Sequence, residues 1–456
     1  MSGPVLTPDL CVIGAGSGGL SVAAGAAQLG ASVVLVEGGE MGGDCLNYGC
    51  VPSKALLAAG ARGLGWEAAL AHVREAIAAI APHDSQDRFE GLGVSVIRGW
   101  ARFAGPDVLQ VGETRIRPRR VVIATGSSPA APPIQGLDAV PYLTNETLFT
   151  PRPRPERLLI LGGGPIGIEM ALAHRRLGCA VTVVEAGRAL GRDDPEATAV
   201  VLAALRAQGV EILENVPVAR AETTPAGVAL VGEDGARHEG DALLVAAGRR
   251  PNLDRLDLAT AGIEAGPAGV TVDRGLRSSN RRVYAIGDAA GGPQFTHVAG
   301  WHGGLVVRSA LFRLPIRTDR TPLPRVTYAE PELAQVGVTE AEAREAHGDR
   351  LEVIREDFAK NDRAVNEGVT AGFLKLMAVK GRPVGVTLVG KGAGDLIQPW
   401  VLAMSAGLKL TAITSMVAPY PTRGEISKRA AGAYFTPRLF GSPWPKRIVR
   451  LLSKLP

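Results

Sequence analysis

Leu10-Cys11-Val12-Ile13-Gly14-Ala15-Gly16-Ser17-Gly18-Gly19 decides the fold class. A short apolar run enters a glycine-rich turn, and a helix of small residues is expected over 21–29. A second apolar strand over 32–36 then ends in Glu37, eighteen residues after Gly19. Strand, turn, helix, strand and acid in this order make a βαβ dinucleotide unit. Gly14 allows the tight turn, Gly16 lets the backbone approach a pyrophosphate, and Gly19 lets helix and strand pack closely. Glu37 is placed to accept from a ribose hydroxyl.

The same pattern returns. Residues 157–161 form an apolar run, Gly162-Gly163-Gly164-Pro165-Ile166-Gly167 a turn, 168–177 a helix, and 180–184 a strand ending in Glu185. Gly162, Gly164 and Gly167 take the roles of the first three glycines, and Glu185 that of the ribose acceptor. A carboxylate there favours NADH, since it bonds the 2′-hydroxyl and repels a 2′-phosphate. Arg188 nearby keeps NADPH possible.

Just after the first unit stands Gly42-Gly43-Asp44-Cys45-Leu46-Asn47-Tyr48-Gly49-Cys50-Val51-Pro52-Ser53-Lys54. Two of the four cysteines lie five positions apart, at the mouth of an apolar helix expected from about Pro52. A disulfide needs Cα atoms roughly 4.4–6.8 Å apart, which an undistorted helix does not give at this spacing. Asn47 and Gly49 tolerate the unusual backbone a bridge would need. A helix N-terminus favours a thiolate, and Lys54, four residues after Cys50, shares its helical face. The pair reads as redox-active. Cys11 and Cys179, in or beside apolar strands, read as inert core.

The length of 456 residues predicts two to four domains. Few aromatics, 4% of the chain, argue against a nucleic-acid surface, and four scattered cysteines against a secreted disulfide scaffold. No apolar run reaches a membrane span and no signal peptide is visible, so a cytoplasmic location is expected, with a peripheral position at the inner membrane surface as an option. The net charge of +5 belongs to the tail: after Glu425 there are seven basic residues and no acidic one, and the rest of the chain carries 43 basic against 45 acidic residues. Past Pro443-Trp444-Pro445, Ile448, Leu451, Leu452 and Leu455 follow helical spacing with Lys446, Arg447, Arg450 and Lys454 between them. Such a basic amphipathic segment suits a membrane surface, an acidic partner or an ordinary capping helix.

Further apolar strands are expected at 120–124, before Thr125-Gly126, at 241–247, before Gly248-Arg249, and at 283–286, before Gly287-Asp288. From about 321 the pattern changes to strands at 326–328, 351–354, 372–377 and 384–389 with helices near 340–346 and 395–406, an α+β arrangement.

Taken together, these motifs resemble the class I pyridine nucleotide-disulfide oxidoreductases of the dihydrolipoamide dehydrogenase, glutathione reductase and mercuric reductase kind. The resemblance covers residues 8–436 and rests on both glycine fingerprints, the 42–54 stretch, Thr125-Gly126, Gly248-Arg249, Ile286-Gly287-Asp288 and Pro421-Thr422 with Glu425. It implies an α/β fold with two Rossmann-like domains, for FAD (1–150 and 271–320) and NAD(P) (151–270). A C-terminal α+β dimerisation domain (321–436) and the tail (437–456) would complete it. It implies FAD held at Gly14, Gly16, Gly19, Glu37, Gly43, Ala101, Thr125, Gly126, Asp288 and His297, with Lys54 near flavin N5 and paired with Glu169. NADH, or NADPH, would sit at Gly162, Gly164, Gly167, Glu185 and Gly248. Cys50 would be the thiolate in charge-transfer contact with the flavin and Cys45 the thiol that meets substrate, in an obligate homodimer. No resident metal is implied.

The sequence departs from that family twice. Members that exchange thiols carry a histidine before Pro-Thr, oriented by a glutamate; here the position is Tyr420, with Glu425 following. A phenol with an ordinary pKa near 10 is a poor base at neutral pH. Asp44 replaces a small hydroxyl residue and is expected either to raise the Cys45 pKa or to cap the next turn. His297 is expected to position the flavin and His302 to lie at an interface. The expectation is an FAD-dependent oxidoreductase passing electrons from NADH through Cys45–Cys50 to an unknown acceptor, in the manner of dihydrolipoamide dehydrogenase. Its alternatives are a quinone or metal-ion reductase without the histidine relay, and a redox sensor that does not turn over.

Overall fold

The computed structural model describes residues 5–319 and 322–455. The expected boundary between 320 and 321 lies outside them. Two compact units emerge, residues 1–162, 173–184 and 216–320 in the first, and 163–172, 185–215 and 321–456 in the second.

The first unit is built on five parallel strands, in the order Val283–Ala285, Arg120–Ile123, Leu10–Ile13, Val33–Glu37 and Val94–Arg98. The three central strands are almost wholly buried, which is why they read as continuous apolar runs without alternation. On one side the helix Ser17–Gln28 packs against the helix Thr296–Phe312. Small residues make this approach possible: a Cβ at Gly303 would stand 3.0 Å from the Gly18 carbonyl oxygen. On the other side Cys11, Ile13, Val34 and Val36 meet Phe103, Leu109 and Ile116 from an antiparallel sheet over Ala101–Gly105, Val108–Val111 and Thr114–Ile116. The second module repeats the parallel plan, with Arg157–Leu161 between Ala180–Val184 and Ala242–Val245.

The second unit holds an antiparallel sheet in the order Arg325–Thr327, Glu332–Gly337, Arg382–Gly390, Phe373–Val379 and Leu351–Asp357. Its core is closed by Trp400, Ile413, Ile426 and Tyr434. Lys375 is 3% exposed yet charged, because Asp194 and Glu340 stand 2.9 and 2.8 Å from its Nζ. A buried charge persists only with such partners.

The mixed α/β architecture matches the expectation, and the helix foreseen over 395–406 proves to be two, Ala393–Leu396 and Gln398–Ser405. The strand Glu332–Gly337 was not foreseen. Gln335 in its middle breaks the apolar pattern and is nonetheless buried, donating to the Val338 carbonyl at 2.9 Å.

Candidate active site

The first glycine turn is shaped by backbone contact. Gly14 has φ +105°, and a Cβ there would stand 2.8 Å from the Ala124 carbonyl carbon. Gly16 looks into open space except toward Gly43, whose φ is +60° and whose Cβ, if present, would meet the Gly16 Cα at 2.7 Å. The nucleotide turn and the cysteine stretch are therefore in backbone contact, which requires glycine at 43. Glu37 accepts from the amides of Ala15 and Gly39, each at 2.5 Å. Glu185 repeats this in the second module, accepting from Gly163 at 2.6 Å and Gly187 at 2.9 Å. The internal repeat thus extends to individual hydrogen bonds. Gly162 has φ +113° against the Ala246 carbonyl, Gly164 faces open space, Gly167 is buried and Arg188 is exposed.

The cysteines sit on two helices instead of one. Cys45 lies in the short helix Gly43–Asn47, and Cys50 opens the helix Cys50–Ala61, two residues earlier than expected. Asn47 is helical, so its contribution is not an unusual backbone: its amide donates to the carbonyls of Met41 and Gly43 at 3.0 and 2.9 Å. Gly49 is required by crowding, since a Cβ would meet the Asp44 carboxylate at 2.8 Å.

Cys45 and Cys50 stand as free thiols. The hydrogen bond from Cys45 is the main reason that the Cys50 pKa falls to about 6, with Thr296 and the Lys54 charge helping and burial opposing. The Thr296 hydroxyl lies 3.4 Å from the Cys50 sulfur. Cys45 is pushed far up by the same bond to Cys50 and by burial, while Thr296 and Ser17 pull weakly the other way. The pair thus holds one proton on Cys45 and a negative charge on Cys50. Burial alone pushes Cys11 up to about 12, and it leads in raising Cys179 to about 11. Neither of these two is a nucleophile.

Asp44 does neither of the things expected of it. Its carboxylate accepts from the Asn145 amide at 2.9 Å and pairs with Arg249 at 3.1 Å, and no side chain caps either cysteine helix. It is not among the leading causes of the Cys45 shift and is a minor opposing charge on Cys50. Arg249 also donates to the Ser127 hydroxyl and carbonyl, at 2.8 and 2.7 Å, and Ser127 donates to Asp288 at 2.5 Å. One chain of polar contacts therefore joins the cysteine turn to Asp288, whose own pKa burial raises. Thr296, Ser127 and Asn145 were not singled out from the sequence, because no spacing marks residues 100 or more positions away as partners.

The remaining expected residues are placed as follows. Thr125 is half-buried, its buried hydroxyl has no partner among the described residues, and the neighbouring Gly126 and Gly248 face open space. Ala101 is buried in its strand, so it can offer a ligand only backbone. His297 stacks on Phe295 with centroids 5.3 Å apart. His302, expected at an interface, is buried: its Nδ1 accepts from the Gly287 amide at 3.2 Å and burial lowers its pKa to about 4. Lys54 lies on the Cys50 helix in the first unit. Glu169 is buried in the second unit, where it accepts from the Tyr328 amide at 2.9 Å.

In the second unit Tyr420 is 70% exposed and donates its hydroxyl to Asp362 at 3.0 Å, which raises its pKa above the ordinary phenol value. Glu425, expected to orient a base, accepts instead from the Thr422 amide at 3.4 Å. The phenol is a fixed hydrogen-bond donor.

Two family models match, the pyridine nucleotide-disulphide oxidoreductase model over residues 8–303 and that family's dimerisation domain over 323–431. The chain belongs to this family. A mercuric reductase of Streptomyces lividans is 36% identical, over 93% of this chain and 96% of that protein. One of Staphylococcus aureus is 35% identical, over 93% and 82%. Among solved structures, the Cu(II) complex of the HOCl-induced flavoprotein disulfide reductase RclA from Escherichia coli superimposes with a TM-score of 0.85. It is 29% identical and covers 92% of this chain and 98% of that one.

Membership makes the chain an FAD- and NAD(P)H-dependent oxidoreductase, and the dimerisation domain supports a homodimer. The residues present fit the flavin nucleotide: an open glycine cradle at Gly16, a ribose-type acid at Glu37 and an unpartnered hydroxyl at Thr125.

Three outcomes follow. In the NADH-reduced holoenzyme, alkylation of Cys50 should rise with pH to a midpoint near 6. In Cys45→Ala the midpoint should move toward the ordinary thiol value of about 8.5. Glu185→Ser should lower the ratio of kcat/KM for NADH over NADPH by about tenfold or more, the loss of one ribose hydrogen bond and its repulsion of phosphate.

Proposed function

We propose that this protein is an NADH-preferring reductase that delivers electron pairs through Cys45 and Cys50 to a thiophilic metal ion. The observation that carries this reading is Tyr420, a phenol tied to Asp362 with a raised pKa. It stands where thiol-exchanging relatives are expected to hold a base. Reducing a disulfide substrate to two thiols takes two electrons and two protons, of which NADH brings two electrons and one proton. Reducing a divalent ion to the metal takes two electrons and no proton, so NADH + Hg²⁺ gives NAD⁺ + H⁺ + Hg⁰. The acceptor that needs no proton relay suits the residues present. The names of the relatives, mercuric reductases and a Cu(II) complex, support the same class.

In this reading Glu185 selects the nicotinamide nucleotide through its ribose. Bound FAD supplies the two-electron relay between nicotinamide and the cysteine pair. Lys54 and Thr296 hold the negative charge on Cys50, and Cys45 gives up its proton when a metal ion binds the two sulfurs. We assign Tyr420, whose single proton is held by Asp362, the place that the base takes in thiol-exchanging relatives. The four-part division into FAD, nucleotide, dimerisation and tail segments is part of the same proposal. The chain has no cysteine after Cys179, so Cys45 and Cys50 are the sulfurs it offers an incoming ion.

The test is anaerobic turnover of the holoenzyme with NADH and, in turn, thiol-complexed Hg²⁺, Cu²⁺, oxidised lipoamide and a quinone. Metal-dependent NADH oxidation should exceed lipoamide reduction by about 10²-fold or more, the deficit expected without a general base. It should vanish in Cys50→Ser, and Tyr420→His should raise lipoamide turnover selectively. Rapid lipoamide turnover by the unaltered protein would return it to disulfide chemistry. Metal turnover that survives Cys50→Ser would remove the cysteines from the route, and no turnover with any acceptor would favour a sensor.

A further inference from the structure

The helix Pro443–Leu452 has no buried residue and lies beyond the stretch that the family's dimerisation model covers, which ends at residue 431. Ser442 starts it, accepting from the Trp444 amide at 3.4 Å. At about 100° per residue, Trp444, Pro445, Ile448, Val449, Leu451 and Leu452 fall on one continuous arc of about 160°. Lys446, Arg447 and Arg450 fall on an opposite arc of about 100°, and none of the charged side chains interrupts the apolar one. Trp444 and Leu451 are 67% and 68% exposed, and Phe440 just before the helix is 68% exposed.

We propose that this helix lies on an anionic lipid surface, apolar side down, in the plane of the headgroups. Charge complementarity chooses this occupant. The chain has no acidic residue after Glu425, so Lys446, Arg447, Arg450 and Lys454 find no carboxylate in their own segment and complement a dense negative surface. A second copy of the same helix is a poor cover, because two-fold packing along the apolar face would gather the cations of both copies at its rim. The arc is also wider than the narrow seam that a helix pair uses. A convex apolar arc carrying a tryptophan and flanked by lysine and arginine is the pattern of interfacial helices. A homodimer carries two such helices, so modest single affinities would multiply through effective concentration. No described helix is long and apolar enough to cross a membrane, and the surface mode needs none. This inference is independent of which acceptor the cysteines reduce.

The test is co-sedimentation of the FAD-loaded full chain with vesicles of phosphatidylglycerol mixed into phosphatidylcholine, against pure phosphatidylcholine. Binding should be at least about 10²-fold tighter to the anionic vesicles, as four basic residues near such a surface predict, and should weaken steeply with salt. The combined charge reversal Lys446→Glu, Arg447→Glu, Arg450→Glu should abolish it, and so should Ile448→Ser with Leu451→Ser and Leu452→Ser. NADH oxidation with an artificial acceptor should stay unchanged in both variants, which shows that they fold. Absence of vesicle binding, equal binding to both vesicle types, or binding that survives both variants would overturn the proposal. So would dimer dissociation in the serine variant without vesicle binding, which would give the face to a second copy.

Discussion

The hydrogen bond between Cys45 and Cys50 is the interaction on which this chain's chemistry depends. It places one proton on one sulfur and a negative charge on the other, and so makes two cysteines of the same stretch unlike each other. Everything that sets it is local to the first unit: the break between the helices Gly43–Asn47 and Cys50–Ala61, Thr296 at the head of its helix, and Lys54 one turn along. A thiol with a pKa of about 6 is largely ionised at neutral pH, and thiolate is the form that binds soft metal ions and exchanges with disulfides. The fold's task is to hold that pair beside a nucleotide turn. The backbone contact of Gly16 with Gly43 does this with no side chain between them.

A second consequence concerns Asp44. A carboxylate next to an ionised sulfur should be costly, and its charge does oppose the Cys50 thiolate slightly. The structure contains that cost by turning the carboxylate to Arg249 and Asn145, whose other contacts run through Ser127 to Asp288. Arg249 thus pairs with Asp44, and its charge also favours the ionised form of Asp288 against the burial that raises that acid's pKa. Lysine could not reproduce this, since the forked guanidinium serves Asp44, Asn145 and Ser127 at once.

Much of the fold was legible because its parallel strands are short, apolar and bounded by glycine. Arg157–Leu161 and Ala180–Val184 are where the sequence puts them. The antiparallel sheet over residues 101–116 and the strand around Gln335 escaped, since polar residues there interrupt both periodicities, and the buried Gln335 is satisfied by the nearby Val338 carbonyl and the Thr387 hydroxyl. At the site, the spaced motifs delivered the cysteines, the glycines and the two glutamates. The partners that tune them, Thr296, Asn145 and Ser127, are brought in by tertiary structure alone. The destination of the Asp44 and Tyr420 side chains was equally hidden, for residue type fixes what a side chain can bond and not which neighbour it meets.

The most direct test of the central claim counts electrons on sulfur. The oxidised, FAD-loaded protein would be titrated with NADH without oxygen, denatured under acid, and its thiols counted against those of the untreated protein. Reduction should expose two additional thiols per protomer, and none in Cys50→Ser. An unchanged thiol count after full reduction by NADH would contradict the central claim, because the electrons would then stop short of Cys45 and Cys50.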